Sequence, residues 1–245
     1  MRRARRPTWT SCWRSASAPS RRPPRSSASA VIAAAGSGER LGAGGPKAFV
    51  ELAGKSLLDW SLDAFKEAGI VTEIVVAAPP GHEEAVAGRG VLAVAGGAHR
   101  SESVANALEL CGEEVVVVHD AARPLVTPKL INAVIERLLS DEEAAAAIAA
   151  APVTDTIKQA SEGGEVERTL DRAGLWAVQT PQAFRADVLR EALSDPDLLP
   201  DATDDAMLVE RGGGSVLIHP APPENLKVTT QLDLRVAELL LSDRD

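Results

Sequence analysis

Tyrosine is absent, and with three Phe and four Trp the aromatic share is only 3% of 245 residues. A core without many rings must be packed from Ala, Val, Leu and Ile. Cysteine is as scarce: Cys12 and Cys111 are the only two, which excludes a disulfide framework and suits a reducing, cytoplasmic setting. The four His, at 82, 99, 119 and 219, show no paired ligand spacing, so a zinc centre is excluded and no protein-held metal site is expected. No apolar run reaches the roughly 18 residues of a membrane helix. An overall basic excess is missing too: 26 Lys and Arg face 35 Asp and Glu, a net charge of −9, which argues against nucleic acid and membrane surfaces as partners.

What positive charge there is lies at one end. Eight Arg and no acidic residue stand in positions 1–30, leaving 18 basic against 35 acidic side chains in the other 215 residues, a balance of −17. Residues 1–29 therefore read as a basic tail, and 30–245 as one domain. The tail has the Arg- and Ser-rich composition of a transit peptide, without an amphipathic helix or an apolar signal core. Disorder, or a start codon placed too early, suits it better.

Short apolar runs at 29–35, 73–78, 91–95, 115–119 and 216–219 read as strands. Helical patterns cover 56–68, 101–110, 127–139, 186–193, 203–211 and 231–241. Alanine propensity would make 142–151 a helix, yet its place after a helix and before Pro152 predicts a buried strand over 145–150. The alternation gives an α/β fold, a mostly parallel sheet with helices on both faces. One segment breaks it: 154–172 has strand-like halves either side of Gly163-Gly164 and too little apolar content to bury itself. It reads as a projecting β-arm, about 153–173, that packs on a partner chain.

The first turn holds Gly36, Gly38 and Gly42, then Gly44-Gly45-Pro46-Lys47. Small residues let backbone N–H groups approach an anion closely. Leu41 stands where a dinucleotide fingerprint wants its third Gly, and Pro46-Lys47-Ala48 is not the Gly-Lys-Ser/Thr of a P-loop. What remains is a glycine-rich loop with two cations, Arg40 and Lys47, that can converge on one polyphosphate or stay solvated on the surface.

Several motifs occur in order: Ala34-Ala35-Gly36-x-Gly38-x-Arg40-Leu41 with Pro46-Lys47, Gly96-Gly97 with Arg100-x-x-Ser103-Val104, and His119-Asp120-Ala121-Ala122-Arg123-Pro124. Asp155-Thr156, Thr169-Leu170-Asp171-Arg172-x-Gly174-Leu175-Trp176, Thr180-Pro181-Gln182, Thr203-Asp204-Asp205-Ala206 and Asn225-Leu226-Lys227-Val228-Thr229 follow. Together, over about 31–241, they resemble the 2-C-methyl-D-erythritol 4-phosphate cytidylyltransferase family. The resemblance implies transfer of CMP from CTP to methylerythritol phosphate with release of pyrophosphate, in non-mevalonate isoprenoid synthesis. It also implies a Rossmann-like α/β domain with a protruding β-arm, Mg2+ held mainly through the CTP phosphates, and a homodimer whose arms are exchanged between active sites.

By the same resemblance Arg40 and Lys47 stabilise charge on the α-phosphate and the departing pyrophosphate. Arg172 on the arm and Lys227 hold the attacking phosphate, and Thr156 travels with Arg172 to the partner's site. The loop residues Ala34, Ala35, Gly36 and Gly38 are expected to contact the nucleotide. Choice of cytosine falls to the backbone at Gly97 and the Ser103 hydroxyl; many family members have Asp after the Gly pair, where this chain has Ala98.

Asp120, with Ala121 and Arg123, ends a strand where open α/β sheets place ligands. Its carboxylate can accept substrate hydroxyls, help hold Mg2+, or pair locally with Arg123. Thr180 is a hydroxyl contact to substrate by resemblance, or a turn residue before Pro181.

A ribitol-phosphate cytidylyltransferase shares the early loop and the Asp-Ala-Ala-Arg-Pro segment, but the arm and C-terminal motifs favour the methylerythritol enzyme. A nicotinamide oxidoreductase lacks the third Gly and an acidic residue at the expected spacing. A binding module using its basic tail leaves the ordered motifs unexplained.

Overall fold

The computed structural model of the protein describes residues 27–36, 38, 41, 45–195, 199–200 and 202–243. The strands are β1 (Ala28–Ala33), β2 (Glu51–Leu52), β3 (Lys55–Ser56), β4 (Val71–Ala78), β5 (Leu92–Ala95), β6 (Val115–Asp120), β7 (Ala144–Pro152), β8 (Lys158–Ala160), β9 (Val166–Thr169), β10 (Trp176–Arg185) and β11 (Ser215–Pro220). The helices are α1 (Leu57–Glu67), α2 (Glu83–Ala87), α3 (Arg100–Leu108), α4 (Pro128–Leu139), α5 (Ala186–Ala192), α6 (Asp205–Arg211) and α7 (Gln231–Ser242).

Seven strands form one sheet in the order β11-β7-β10-β6-β1-β4-β5, all parallel except β10, which runs against both neighbours. From β1 the chain passes first to β4 on one side and later to β6 on the other. That reversal is a topological switch point, where doubly wound sheets open a crevice. The β1 and β6 ends are tied there by Ala121 N–H donating to Ala33 O at 3.1 Å.

Covered on both faces, the central strands read as apolar runs rather than alternating ones. One face packs Leu58, Leu62 and Phe65 of α1 and Ile131, Val134, Ile135 and Leu138 of α4. The other packs Val104, Ala107 and Leu108 of α3 with Leu189 of α5 and Val209 of α6. Between them the alanine run is a strand, β7, with Ala147 and Ala149 in the first core and Ala146 and Ile148 in the second. Its tertiary setting overrides alanine's helix preference.

Helix starts follow their caps: Ser56, Thr127, Asp204 and Thr230 each accept from the backbone N–H three residues on. Three sequence expectations change. Ala28 and Ser29 are fully buried and open β1, so the domain begins before residue 30; positions 1–26 of the tail lie outside the described residues. The strand β10 lacks a counterpart in the apolar pattern because Pro181 and two Gln interrupt it, and the ladder with β7 shifts register between Val178 and Gln182, around that proline. A short helix, α2, adds a turn over 83–87.

The segment predicted as an arm contains the two-stranded antiparallel ribbon β8–β9, turned through Gly164 at φ +81°. Every residue of both strands is exposed. No helix among the described residues is long and apolar enough to cross a membrane.

Candidate active site

A cavity of about 480 Å³ opens at the switch point. The end of β1 supplies Ala33, Ala34, Ala35 and Gly36; the end of β6 supplies Asp120 and Ala121; and the loop into α3 supplies Gly97, Ala98 and His99. Gly38, Lys47, Ser103 and Lys227 complete the parts of the wall that the sequence singled out.

Close approach explains Gly38 and Gly96. Gly38 has φ +73°, and a Cβ there would stand 2.8 Å from the Lys47 Cβ, so this glycine lets the loop close onto the lysine. Lys47 begins a single 3-10 turn, and its N–H donates to Gly36 O at 3.2 Å, which folds the loop back beside the cavity. A Cβ on Gly96 would lie 2.2 Å from that of Ala35, so the first and third walls touch through it. Arg40, expected to share the phosphates with Lys47, lies outside the described residues.

Asp120 is the electrostatic centre. Arg100 Nε donates to its Oδ1 at 2.8 Å and Lys227 Nζ to its Oδ2 at 2.8 Å, while Arg100 Nη1 reaches Asp205 Oδ2 at 2.7 Å. Burial alone would raise the Asp120 carboxyl, but Arg100 and then Lys227 outweigh it and hold the group well below the usual carboxylate range. For Asp205 burial wins, and its carboxyl is raised despite Arg100.

Local pairing of Asp120 with Arg123 is not what forms. Arg123 Nη1 donates instead to Asn225 O at 2.8 Å, and Asn225 Nδ2 donates to Gln179 Oε1 and Thr180 O at 2.8 and 2.9 Å. With Val228 N–H on Ala122 O at 2.8 Å, these bonds fix the segment that carries Lys227 against the end of β6. Arg123 thus supports the wall without lining the cavity.

Thr180 also sits behind the wall. Asp120 N–H donates to Thr180 Oγ1 at 3.1 Å, and that oxygen lies 3.0 Å from His119 Nδ1. His119 Nε2 stands 3.2 Å from Arg123 O, which can only accept, so Nε2 carries the proton and the threonine hydroxyl donates to Nδ1. Burial of the ring pushes the His119 pKa down to about 3. Thr180 therefore serves Asp120's backbone from within a strand and is not a turn residue.

Gly97 N–H donates to Ser103 Oγ, whose proton goes to His99 O, both at 3.0 Å, so the hydroxyl expected to meet the base shapes the loop that carries Gly97. Ala98 N–H donates to Glu102 Oε2 at 2.8 Å.

Thr156 and Arg172 do not line this cavity. Arg172 is exposed and donates to Thr154 O, while Asp171 caps the following turn through Ala173 N–H. Among the described residues no group of three or more His, Cys, Asp or Glu could hold a metal ion. The sequence motifs contained Arg100, Asp205 and Asn225, yet none was assigned a role; their partners lie far along the chain.

A glycine-lined crevice at the switch point, walled by two lysines, defines an α/β domain of the nucleotidyltransferase class. Comparison with known proteins narrows this: the 2-C-methyl-D-erythritol 4-phosphate cytidylyltransferase family, IspD, matches residues 28–243, and the chain belongs to it. It is 46% identical over 221 residues to the enzyme of that name from Frankia casuarinae, covering 88% of this chain and 82% of the relative. Against that of Saccharopolyspora erythraea it is 45% identical over 224 residues, 87% of this chain and 98% of the relative. The crystal structure of the Thermus thermophilus enzyme superimposes with a TM-score of 0.71 at 36% identity, covering 87% of this chain and 98% of that one.

Proposed function

We propose that the protein transfers CMP from CTP to 2-C-methyl-D-erythritol 4-phosphate, giving 4-diphosphocytidyl-2-C-methyl-D-erythritol and pyrophosphate, as a cytoplasmic enzyme of non-mevalonate isoprenoid synthesis. Family membership names the reaction. The observation in this chain that carries it is the cavity itself, where Lys47 and the Lys227–Asp120 pair share one wall with a glycine-rich floor.

The reaction joins two anions. A phosphomonoester oxygen attacks the α-phosphorus of CTP, the bond to the bridging oxygen breaks, and pyrophosphate leaves with the electron pair. Cations around the phosphorus offset the repulsion, and positioning does most of the rest. Lys47, joined by Arg40, stabilises the α-phosphate and the leaving group. Lys227 holds the attacking phosphate, and the Asp120 carboxylate, kept ionised, accepts hydrogen bonds from substrate hydroxyls. Backbone from Ala34 to Gly38 receives the triphosphate, and the Gly97 loop, ordered by Ser103, faces the base.

Mg2+ would neutralise triphosphate charge. Among the described residues no group of three or more His, Cys, Asp or Glu could hold it; the CTP phosphates would carry the ion.

We infer further that the chain works as a homodimer in which Thr156 and Arg172 complete the partner's site. The exposed ribbon, and the absence of both residues from the lining of their own cavity, support this. Pyrophosphate release with Mg2+, each of CTP, UTP, ATP and GTP, and either methylerythritol phosphate or ribitol phosphate tests the reading. Release with CTP and methylerythritol phosphate alone is expected; turnover confined to ribitol phosphate, or none in folded protein, would overturn it.

A further inference from the structure

Asp205 is fully buried, lines no part of the cavity, and makes its one ion pair among the described residues with Arg100. A carboxylate in such a place costs free energy unless a cation and hydrogen bonds meet it. Here the meeting is incomplete: Asp205 Oδ1 and Arg100 Nη2 are both buried with no hydrogen-bond partner among the described residues.

An arginine facing one carboxylate favours the fork, two parallel N–H···O bonds that occupy both oxygens. In this protein the fork is split. Nε goes to Asp120 Oδ1 and Nη1 to Asp205 Oδ2, which leaves Asp120 Oδ2 for Lys227 Nζ at 2.8 Å. The split is braced from both ends. Arg100 opens α3, whose Ser101 Oγ donates to Leu199 O at 2.7 Å, and Asp205 opens α6, whose cap Asp204 accepts from Met207 N–H at 2.9 Å and Gln182 Nε2 at 3.0 Å.

We propose that Arg100 and Asp205 are positioning residues for the transfer: Asp205 turns the guanidinium so that it cannot take both oxygens of Asp120, and the oxygen thus reserved fixes the Lys227 ammonium at the cavity wall. The proposal rests on the cytidylyl-transfer reading above.

The test is Asp205→Asn, which keeps the shape and removes the charge, with Arg100→Lys, which keeps the charge but cannot span two carboxylates. Initial rates of pyrophosphate release give kcat and KM for CTP and methylerythritol phosphate, and thermal unfolding reports the fold. Removing a negative charge near a site for two anions would, through field alone, lower KM and leave kcat unchanged. Mispositioning instead lowers kcat, by about tenfold or more, in both variants, with each KM within about threefold of wild type.

Asp205→Asn is also made in a Lys227→Met background. If Asp205 acts through Lys227, its effect on kcat shrinks to within about twofold there; a merely structural defect would lower kcat equally in both backgrounds. Equal losses in the two backgrounds, or kcat of Asp205→Asn within about twofold of wild type, would overturn the positioning role. Should Asp205→Asn not fold, the same cycle with Arg100→Lys decides. A wild-type chain that releases no pyrophosphate refutes the functional reading itself, a result distinct from wild-type turnover unaffected by the variants.

Discussion

Acid should weaken this fold through His119, well before Asp120 begins to titrate. The ring is fully buried between the end of β6 and Phe65, its centroid 5.2 Å from that of Phe65, and burial pushes its pKa down to about 3. In the unfolded chain an imidazole titrates near 6.5. The folded state therefore refuses a proton that the unfolded state accepts, so stability is complete above about pH 6.5 and falls as the pH drops toward 3. The slope approaches about 1.4 kcal/mol per pH unit, and between pH 7.5 and 5.0 the loss from this one group is about 2 kcal/mol.

Asp120, held low by Arg100 and Lys227, adds a loss of the same sign. That loss begins only near the unfolded carboxyl value of about 4, so it is small at pH 5. Urea unfolding of wild type and His119→Gln at both pH values isolates the term, because His219 and the carboxylates are common to the two proteins. Wild type should lose about 2 kcal/mol more than the variant over this interval. Equal losses would mean that the ring takes up its proton without unfolding, and the tautomer and bonding deduced for it would be wrong.

Lys47→Ala should leave the fold intact and lower kcat about 100-fold in the pyrophosphate assay, as loss of one preorganised donor does. If active sites are shared, Lys47→Ala and Arg172→Ala chains are each nearly inactive, yet a refolded equimolar mixture regains about a quarter of wild-type activity, since half the dimers are mixed and each of those has one intact site. No recovery in mixed dimers would refute arm exchange. Gly96→Ala places a Cβ 2.2 Å from that of Ala35 and should cost about 1–3 kcal/mol, read as a lowered Tm together with weaker CTP binding.

Most of the sheet was legible because both-face burial writes itself as runs of Val, Ile and Ala, and because helices on either side of a parallel sheet carry their own period. Even the alanine strand β7 yielded to its position between a helix and Pro152. The strand β10 did not, since at its centre Pro181 stands among Gln179, Thr180 and Gln182, three buried polar residues whose partners include Asp204, Asn225 and the backbone of β6. A strand satisfied by side-chain bonds to distant loops leaves no hydrophobic period to read.

The site divides in the same way. Its glycines and lysines were visible because backbone approach and phosphate charge demand those residue types locally. The pairing of charges was not visible: Arg100 meets Asp120 across 20 positions and Asp205 across 105, and Arg123, three residues from Asp120, passes it by for Asn225 O. Sequence proximity favoured Arg123 as Asp120's partner. The fold reverses that choice because residue 120 ends β6 at the switch point, where α3 begins on one side and the segment 225–229 closes on the other. Each brings a cation to one oxygen of the same carboxylate, and that arrangement exists only once the crossovers are made.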